Sequence, residues 1–415
     1  MATERVYISQ DDEYYFGQGT HYEIYKKLGA HPSVENGKEG YFFAVWAPNA
    51  ASVHVVGDFN GWSETMHPMH RQGEMGIFTL FIPGLGVGEL YKYLITTPAG
   101  ERFYKADPFA NWAELRPGTA SRTTDLSDFR WSDGKWFEHY EKLKLRENPD
   151  AIYEEPLAIY ECQIGSWMKH PDGTGEGFYN YREFADRIVD YLKEMKYTHI
   201  ELIGIAEHPF DGSWGYQVTG FFSPTSRYGD AFGLMRLIDR LHQAGIGVIL
   251  DWVPAHFPKD EFALAHFDGT PLYESADPLR AEYPEWGTLA FDHSKPEVRS
   301  FLISSAFYWI NEFHIDALRV DAVAAMIYVN YSRAQWRPNM FGGNLNLESM
   351  DFLRQLNFEV CGKTSGYLIA EDSSTEWGIT EDVTKGGLGF TFKWNMGWMH
   401  DFLEYIGDDA VYRKY

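Results

Sequence analysis

Hydrophobic and polar positions along the chain change rhythm near Pro156. Ahead of it, from about Gly40 to Thr124, the apolar stretches are short: Tyr41–Trp46, Ser52–Val56, Ile77–Ile82 and Leu90–Ile95, separated by Gly, Pro, Asn and Asp. Short strands punctuated by turns, with no long helical period among them, predict a small β-sandwich. Residues 1–39 read as a helical or extended lead-in, 40–130 as the sandwich, and the charged stretch Glu138–Asp150 marks 131–155 as a linker.

From 156 to 415 strand-like runs alternate with helical periods. Strands are expected at 157–164, 198–203, 247–251, 315–320 and 367–371, with a weaker one near Leu388–Phe392. Between them, a helix over 181–195 aligns Phe184, Ile188, Leu192 and Met195, and the next aligns Leu234, Leu237, Ile238 and Leu241 before Gly245. A third helix is expected to start at Ser294-Lys-Pro-Glu297, where a capping Ser, a Glu three residues on and a first-turn Pro agree. Further helices are expected around 347–361 and from Trp394 to Tyr405. Such alternation, with continuously apolar strands, predicts an α/β fold whose parallel sheet is covered on both faces. About six strands are visible where a closed (β/α)8 barrel has eight, so an incomplete TIM-type barrel is expected, with a long excursion over roughly 257–295.

At 415 residues the chain exceeds one hydrophobic core, which agrees with two domains. Its formal charge of −24, offset by no Lys/Arg cluster, disfavours nucleic acid and anionic membranes as partners. The N-terminus lacks a basic segment followed by an apolar one, and no apolar run nears the roughly 18 residues of a membrane helix. A soluble, cytoplasmic protein is expected. Cys162 and Cys361, two thiols in apolar surroundings, read as buried and free rather than as a disulfide or metal pair. The 17% aromatic content, with 14 Trp and 27 Tyr, suits the apolar C–H faces of sugars, though cores use the same residues.

Chemistry is concentrated where strands end. In a barrel, a carboxylate at a strand's C-terminal end lies at the mouth where substrates bind. Asp321 and Glu371 both stand there, and two facing carboxylates suggest glycosidic bond chemistry. Arg319, two residues before Asp321, points to the same side, where its guanidinium should favour the ionised form of that acid, as a nucleophile requires. Glu371 ends an apolar run, which suits a general acid, although Asp372 follows it and one of the two must face away. Asp251 and His256 add an acid and an imidazole at a third strand end, suited to hydrogen-bonding sugar hydroxyls.

Asp251 to His256, Leu318-Arg-Val-Asp-Ala-Val323 and Ile369-Ala-Glu-Asp372 resemble the first three sequence regions of the α-amylase superfamily, glycoside hydrolase family 13. Ala255 stands where amylases usually have Asn. With the stretch Glu207–Gly229, Gly19-Thr-His-Tyr22 and Val55–Trp62, it makes the chain most similar to the glycogen branching enzymes, the last segment resembling their glucan-binding sandwich module. The resemblance implies cleavage of an α-1,4-glucan by retaining double displacement, with Asp321 the nucleophile and Glu371 the acid/base, and transfer to a 6-hydroxyl. It implies substrate-binding roles for Tyr216, Asp251, His256 and Arg319, a partner that is glycogen, amylose or starch, and no cofactor or metal. Gln163 stands where the family commonly has His, and Ala317 where Gly is common. The family's fourth region, a His-Asp pair, is not found before Tyr415, so the chain is expected to stop inside the barrel and, by itself, to show negligible turnover. A glucan-binding protein without catalysis and an α-glucan hydrolase are the alternatives. Trp46 and Trp62 could stack on glucan or pack inside the module.

Overall fold

The computed structural model describes residues 5–145, 151–173 and 177–413, with side chains undescribed over 140–145. Part of the expected linker, 146–150, therefore lies outside the described residues. After the helix α1 (Gln10–Gly17), two antiparallel sheets form the N-terminal sandwich. One has the order β1-β2-β5-β4, from β1 (Gly29–Glu35), β2 (Lys38–Trp46), β4 (His70–Gln72) and β5 (Ile77–Pro83). The other runs β3-β6-β7, with β8 also on β6, from β3 (Ser52–Gly57), β6 (Leu90–Thr96), β7 (Arg102–Lys105) and β8 (Ser121–Arg122). The first strand precedes the expected start at Gly40. It contains Pro32, which hides it from a period-2 reading but is tolerated because β1 is an edge strand. Trp46 belongs to the core, its indole N–H donating to the Met75 carbonyl, whereas Trp62 is half-buried and donates to Asp58.

After α2 (Gly134–Leu145), six parallel strands lie side by side in chain order. They are β9 (Ile159–Gln163), β10 (His199–Ile203), β13 (Gly247–Trp252), β17 (Ala317–Val320), β18 (Tyr367–Ala370) and β19 (Phe392–Lys393). The last is two residues long, shorter than the expected run from Leu388. Crossovers are made by α4 (Tyr181–Met195), α5 (Ala231–Gln243), α6 (Pro296–Phe313) and α8 (Leu347–Lys363), with the short α3 (Ile164–Trp167) and α7 (Val323–Ile327) opening loops and α9 (Met396–Gly407) ending the described chain. Asn180 caps α4 by accepting from the N–H groups of Arg182 and Glu183, and Phe184, Ile188 and Leu192 are buried as their spacing requires. Met195 is not: it closes the last turn and is exposed.

The expected cap at Ser294 also fails. Pro296 takes the first helical position, so Ser294 falls one residue outside the helix and its hydroxyl donates to Asp292 instead. Helix α6 is buried on nearly every side because the N-terminal segment covers its outer face: Ser304 accepts from the Tyr25 N–H, and Ser300 donates to the Phe16 carbonyl. The excursion after β13 serves the module. Its Asp268 accepts from the backbone and side chain of Asn49, and the buried Lys105 ammonium donates to the carbonyls of Glu261 and Ala265. Short strands within it, β14 (His256–Phe257), β15 (Glu282–Tyr283) and β16 (Thr288–Ala290), and the hairpin β11 (Ala206–Glu207) with β12 (Gly220–Pro224), project from the barrel's C-terminal end. Neither Cys162, buried, nor Cys361, half-buried, forms a disulfide. No helix among the described residues is long and apolar enough to cross a membrane.

Candidate active site

Parallel register puts the chemistry in one layer. Asp251 on β13 stands opposite Arg319 on β17, and Arg319 stands opposite Ile369 on β18, two residues before Glu371. The side chains of Arg319 and Asp321 share a face, so one guanidinium nitrogen reaches both acids, 2.7 Å from Asp251 Oδ1 and 2.6 Å from Asp321 Oδ1. The chain then turns at Ala322, a non-glycine residue at φ +55°, a local strain of the kind found where side chains must be held for chemistry. That turn aims the Ala322 N–H at Glu371 Oε2, 2.8 Å away. Glu371 and Asp321 thus line one cavity of about 420 Å³, while Asp372 turns away, buried against Lys393 Nζ at 2.7 Å.

His256 and Tyr216 complete the walls. The His256 ring lies with Nε2 3.9 Å from Asp321 Oδ2, and burial pushes its pKa down to about 4, so the ring is neutral. Its Nδ1 is buried without a hydrogen-bond partner. Tyr216 sits with its ring 5.8 Å from the Arg319 guanidinium and its hydroxyl against Asp251; burial, then the charge of Asp251, raises its pKa. It is placed there by Gly215: a Cβ on that residue would fall 2.2 Å from Gly204 Cα, so only glycine lets the two loops meet. Further back, the buried Glu207 accepts from Arg227 Nη1 and from the Ser226 N–H, both at 2.7 Å, locking the 207–229 stretch.

Arg319 acts on Asp321 in the expected direction, favouring its ionised form, but burial outweighs it. Burial pushes the Asp321 carboxyl up, with Asp251 and Glu371 adding to the rise, and the Arg319 guanidinium opposes this without overcoming it. A buried charge loses hydration on every side, while the single cation is shared between two acids. Asp251 is raised for the same first reason, and Glu201, buried one layer deeper on β10, is pushed up to about 8 by burial and then by Asp251.

All six residues singled out in the sequence meet here. Trp286, Tyr331 and Gln217, which also line the cavity, were not among them. Trp286 and Tyr331 lie on loops whose only sequence signal is an aromatic among turn residues.

Residues 27–110 match the model of carbohydrate-binding module 48 (isoamylase N-terminal domain), and 171–269 match that of the α-amylase catalytic domain. Among solved structures, a putative α-amylase from Salmonella typhimurium aligns over 89% of this chain and 53% of its own at TM-score 0.62 and 22% identity. A pullulanase from Paenibacillus barengoltzii aligns over 84% and 53% at TM-score 0.61 and 21% identity. These establish the fold. Among curated proteins, the 1,4-alpha-glucan branching enzyme GlgB of Butyrivibrio fibrisolvens is 62% identical over 415 residues, 99% of this chain and 64% of that protein. That of Rubrobacter xylanophilus is 50% identical over 412 residues, 98% of this chain and 55% of its own length. This chain spans 54–64% of the length of the curated relatives it matches, and over nearly all of its own length it is similar to 1,4-alpha-glucan branching enzymes, with matches to a carbohydrate-binding module and to the α-amylase catalytic domain.

Proposed function

We propose that the cavity cleaves an α-1,4-glucosidic bond and transfers the released chain to a glucan 6-hydroxyl, making an α-1,6 branch in glycogen synthesis. The observation that carries this reading is that Asp321 and Glu371 line one cavity, with Arg319 bridging Asp321 to Asp251. An Asp321 oxygen attacks the anomeric carbon while Glu371 gives its proton to the departing glycosidic oxygen. The carbon–oxygen bond to that chain breaks as the bond to Asp321 forms. An acceptor 6-hydroxyl then attacks the same carbon, losing its proton to Glu371, and the bond to Asp321 breaks; two inversions retain the α configuration. Asp251, His256 and Tyr216 hold the sugar at that carbon, and Arg319 positions both acids.

The matched module over 27–110 supports an α-glucan as partner; the sandwich begins ahead of the expected boundary at 40, with β1, and a connecting segment over 131–155 and a catalytic domain from 156 are kept as proposals. The formal charge of −24 argues against nucleic acid and anionic membranes as partners, and a cytoplasmic location is part of the same proposal. The test is incubation with amylose of a protein carrying this chain within a complete barrel, following α-1,6 linkages by proton NMR and reducing ends by colorimetry. New branches at constant total glucan are expected. Release of reducing ends without new branches would replace the reading with hydrolysis, and glucan binding without either change would leave a binding protein.

A further inference from the structure

We propose that Trp286 and Tyr331 form a second sugar-binding wall of the cavity, on which a glucose ring beside the reacting bond packs its apolar face. The inference rests on the glucan reading above and adds two residues that no sequence motif marks.

The wall stands among the reacting groups. Trp286 packs against His256 with ring centroids 4.9 Å apart, against Tyr283 at 4.9 Å and against Tyr331 at 5.7 Å. Both rings are half-buried and line the cavity that holds Asp321 and Glu371. Tyr331 is within electrostatic reach of both acids, which add to the burial that raises its pKa. Ala322, whose N–H holds Glu371, packs on the same aromatic cluster. Tyr216 stands with Arg319 and Asp251, so the cavity offers rings in two places.

The wall is also anchored more firmly than a surface loop needs. Arg333 Nε donates to the Glu282 carbonyl at 2.9 Å, Nη2 to the Arg280 carbonyl at 3.2 Å and Nη1 to the Val329 carbonyl at 3.1 Å. Its guanidinium lies over the Tyr283 ring at 4.5 Å, and the Tyr283 hydroxyl donates to the Ala325 carbonyl at 2.9 Å. One arginine thereby fastens the segment carrying Tyr331 to the arm carrying Trp286. Half-exposed aromatic rings held rigidly over a cavity lose little entropy when a ligand packs on them, and they present the flat apolar face that pyranose C–H groups match.

The experiment is calorimetric titration of maltoheptaose into the wild-type chain and into Trp286→Ala, Trp286→Phe and Tyr331→Ala, each checked for an unchanged thermal melt. Trp286→Ala is expected to weaken binding by about tenfold or more, equal to about 1.4 kcal/mol. Trp286→Phe should recover most of that loss. Tyr331→Ala should weaken binding independently, which keeps the proposal open to test if the first variant misfolds. Wild-type affinity in Trp286→Ala or in Tyr331→Ala overturns the wall. So does a Phe variant as weak as Ala, because it removes stacking as the cause. A wild-type chain that does not bind maltoheptaose at all overturns the glucan reading itself, a different result from either.

Discussion

Below the barrel, at the opposite end from the cavity, His242 is buried between two carboxylates. Its Nδ1 lies 2.9 Å from Asp133 Oδ2 and its Nε2 3.0 Å from Asp316 Oδ2. Asp133 also meets His314 Nδ1 at 2.8 Å, Trp136 donates to Asp316 Oδ1, and His199 lies within electrostatic range, its own pKa lowered by burial. The two acids outweigh the burial that opposes protonation and raise His242 from 6.5 to about 9. Each tenfold in that equilibrium is 1.36 kcal/mol, so charging His242 stabilises the fold by about 3 kcal/mol. Because the folded-state value is the higher one, this contribution is complete below pH 6.5 and disappears as pH rises through about 9. Asp133, held below its ordinary 3.8, contributes in the opposite sense, its share lost as pH falls through the lowered value. The network is therefore strongest between about pH 4 and pH 6.5. In thermal melts from pH 6 to pH 9.5, His242→Gln should melt several degrees below wild type at pH 6, and the gap should narrow steadily toward pH 9.5. A gap of constant size across that range would show that the charge on His242 contributes nothing and would refute the reasoning.

Three other outcomes are expected. Arg319→Met leaves Asp251 and Asp321 buried without their shared cation, so it should cost about 3–5 kcal/mol and cost more at pH 8 than at pH 5, read as melting temperature at both. Asp321→Asn within a complete barrel should abolish new α-1,6 linkages on amylose while keeping or raising the melting temperature, because burial already disfavours the charge that it removes; an unstable variant would contradict that electrostatic account. Leu250→Ala, at a fully buried position beside Asp251, should cost about 2–5 kcal/mol in denaturant unfolding of the barrel.

How far the sequence could be read follows from which forces act locally. The ends of β13, β17 and β18 were legible because an apolar run closed by an acid is a one-dimensional pattern, and parallel register turns it into a layer. Helices α4 and α5 were legible because each buries a single stripe. Other features depended on partners far along the chain. Pro32 reads as a break until β2 supplies the pairing that makes it an edge strand. Helix α6 carries no stripe because Phe16 and Tyr25, hundreds of residues earlier, cover its outer side. Trp286 and Tyr331 meet only because Arg333 fastens their loops.

The charge on Asp321 belongs to that second class, and it bears on function. Proximity to Arg319, and the gathering of Asp251 and Glu371 at neighbouring strand ends, could be read from the sequence, whereas the depth of burial could not. Asp251 and Asp321 share one guanidinium, with Glu371 nearby on the Ala322 N–H, which makes the site costly to hold fully ionised. In the proposed reaction, positive charge develops at the anomeric carbon next to Asp321 as the glycosidic bond breaks, which would stabilise the carboxylate that burial disfavours. On the proposed mechanism that charge would offset the cost of ionising the buried Asp321, so Asp321→Asn should remove branching without lowering stability.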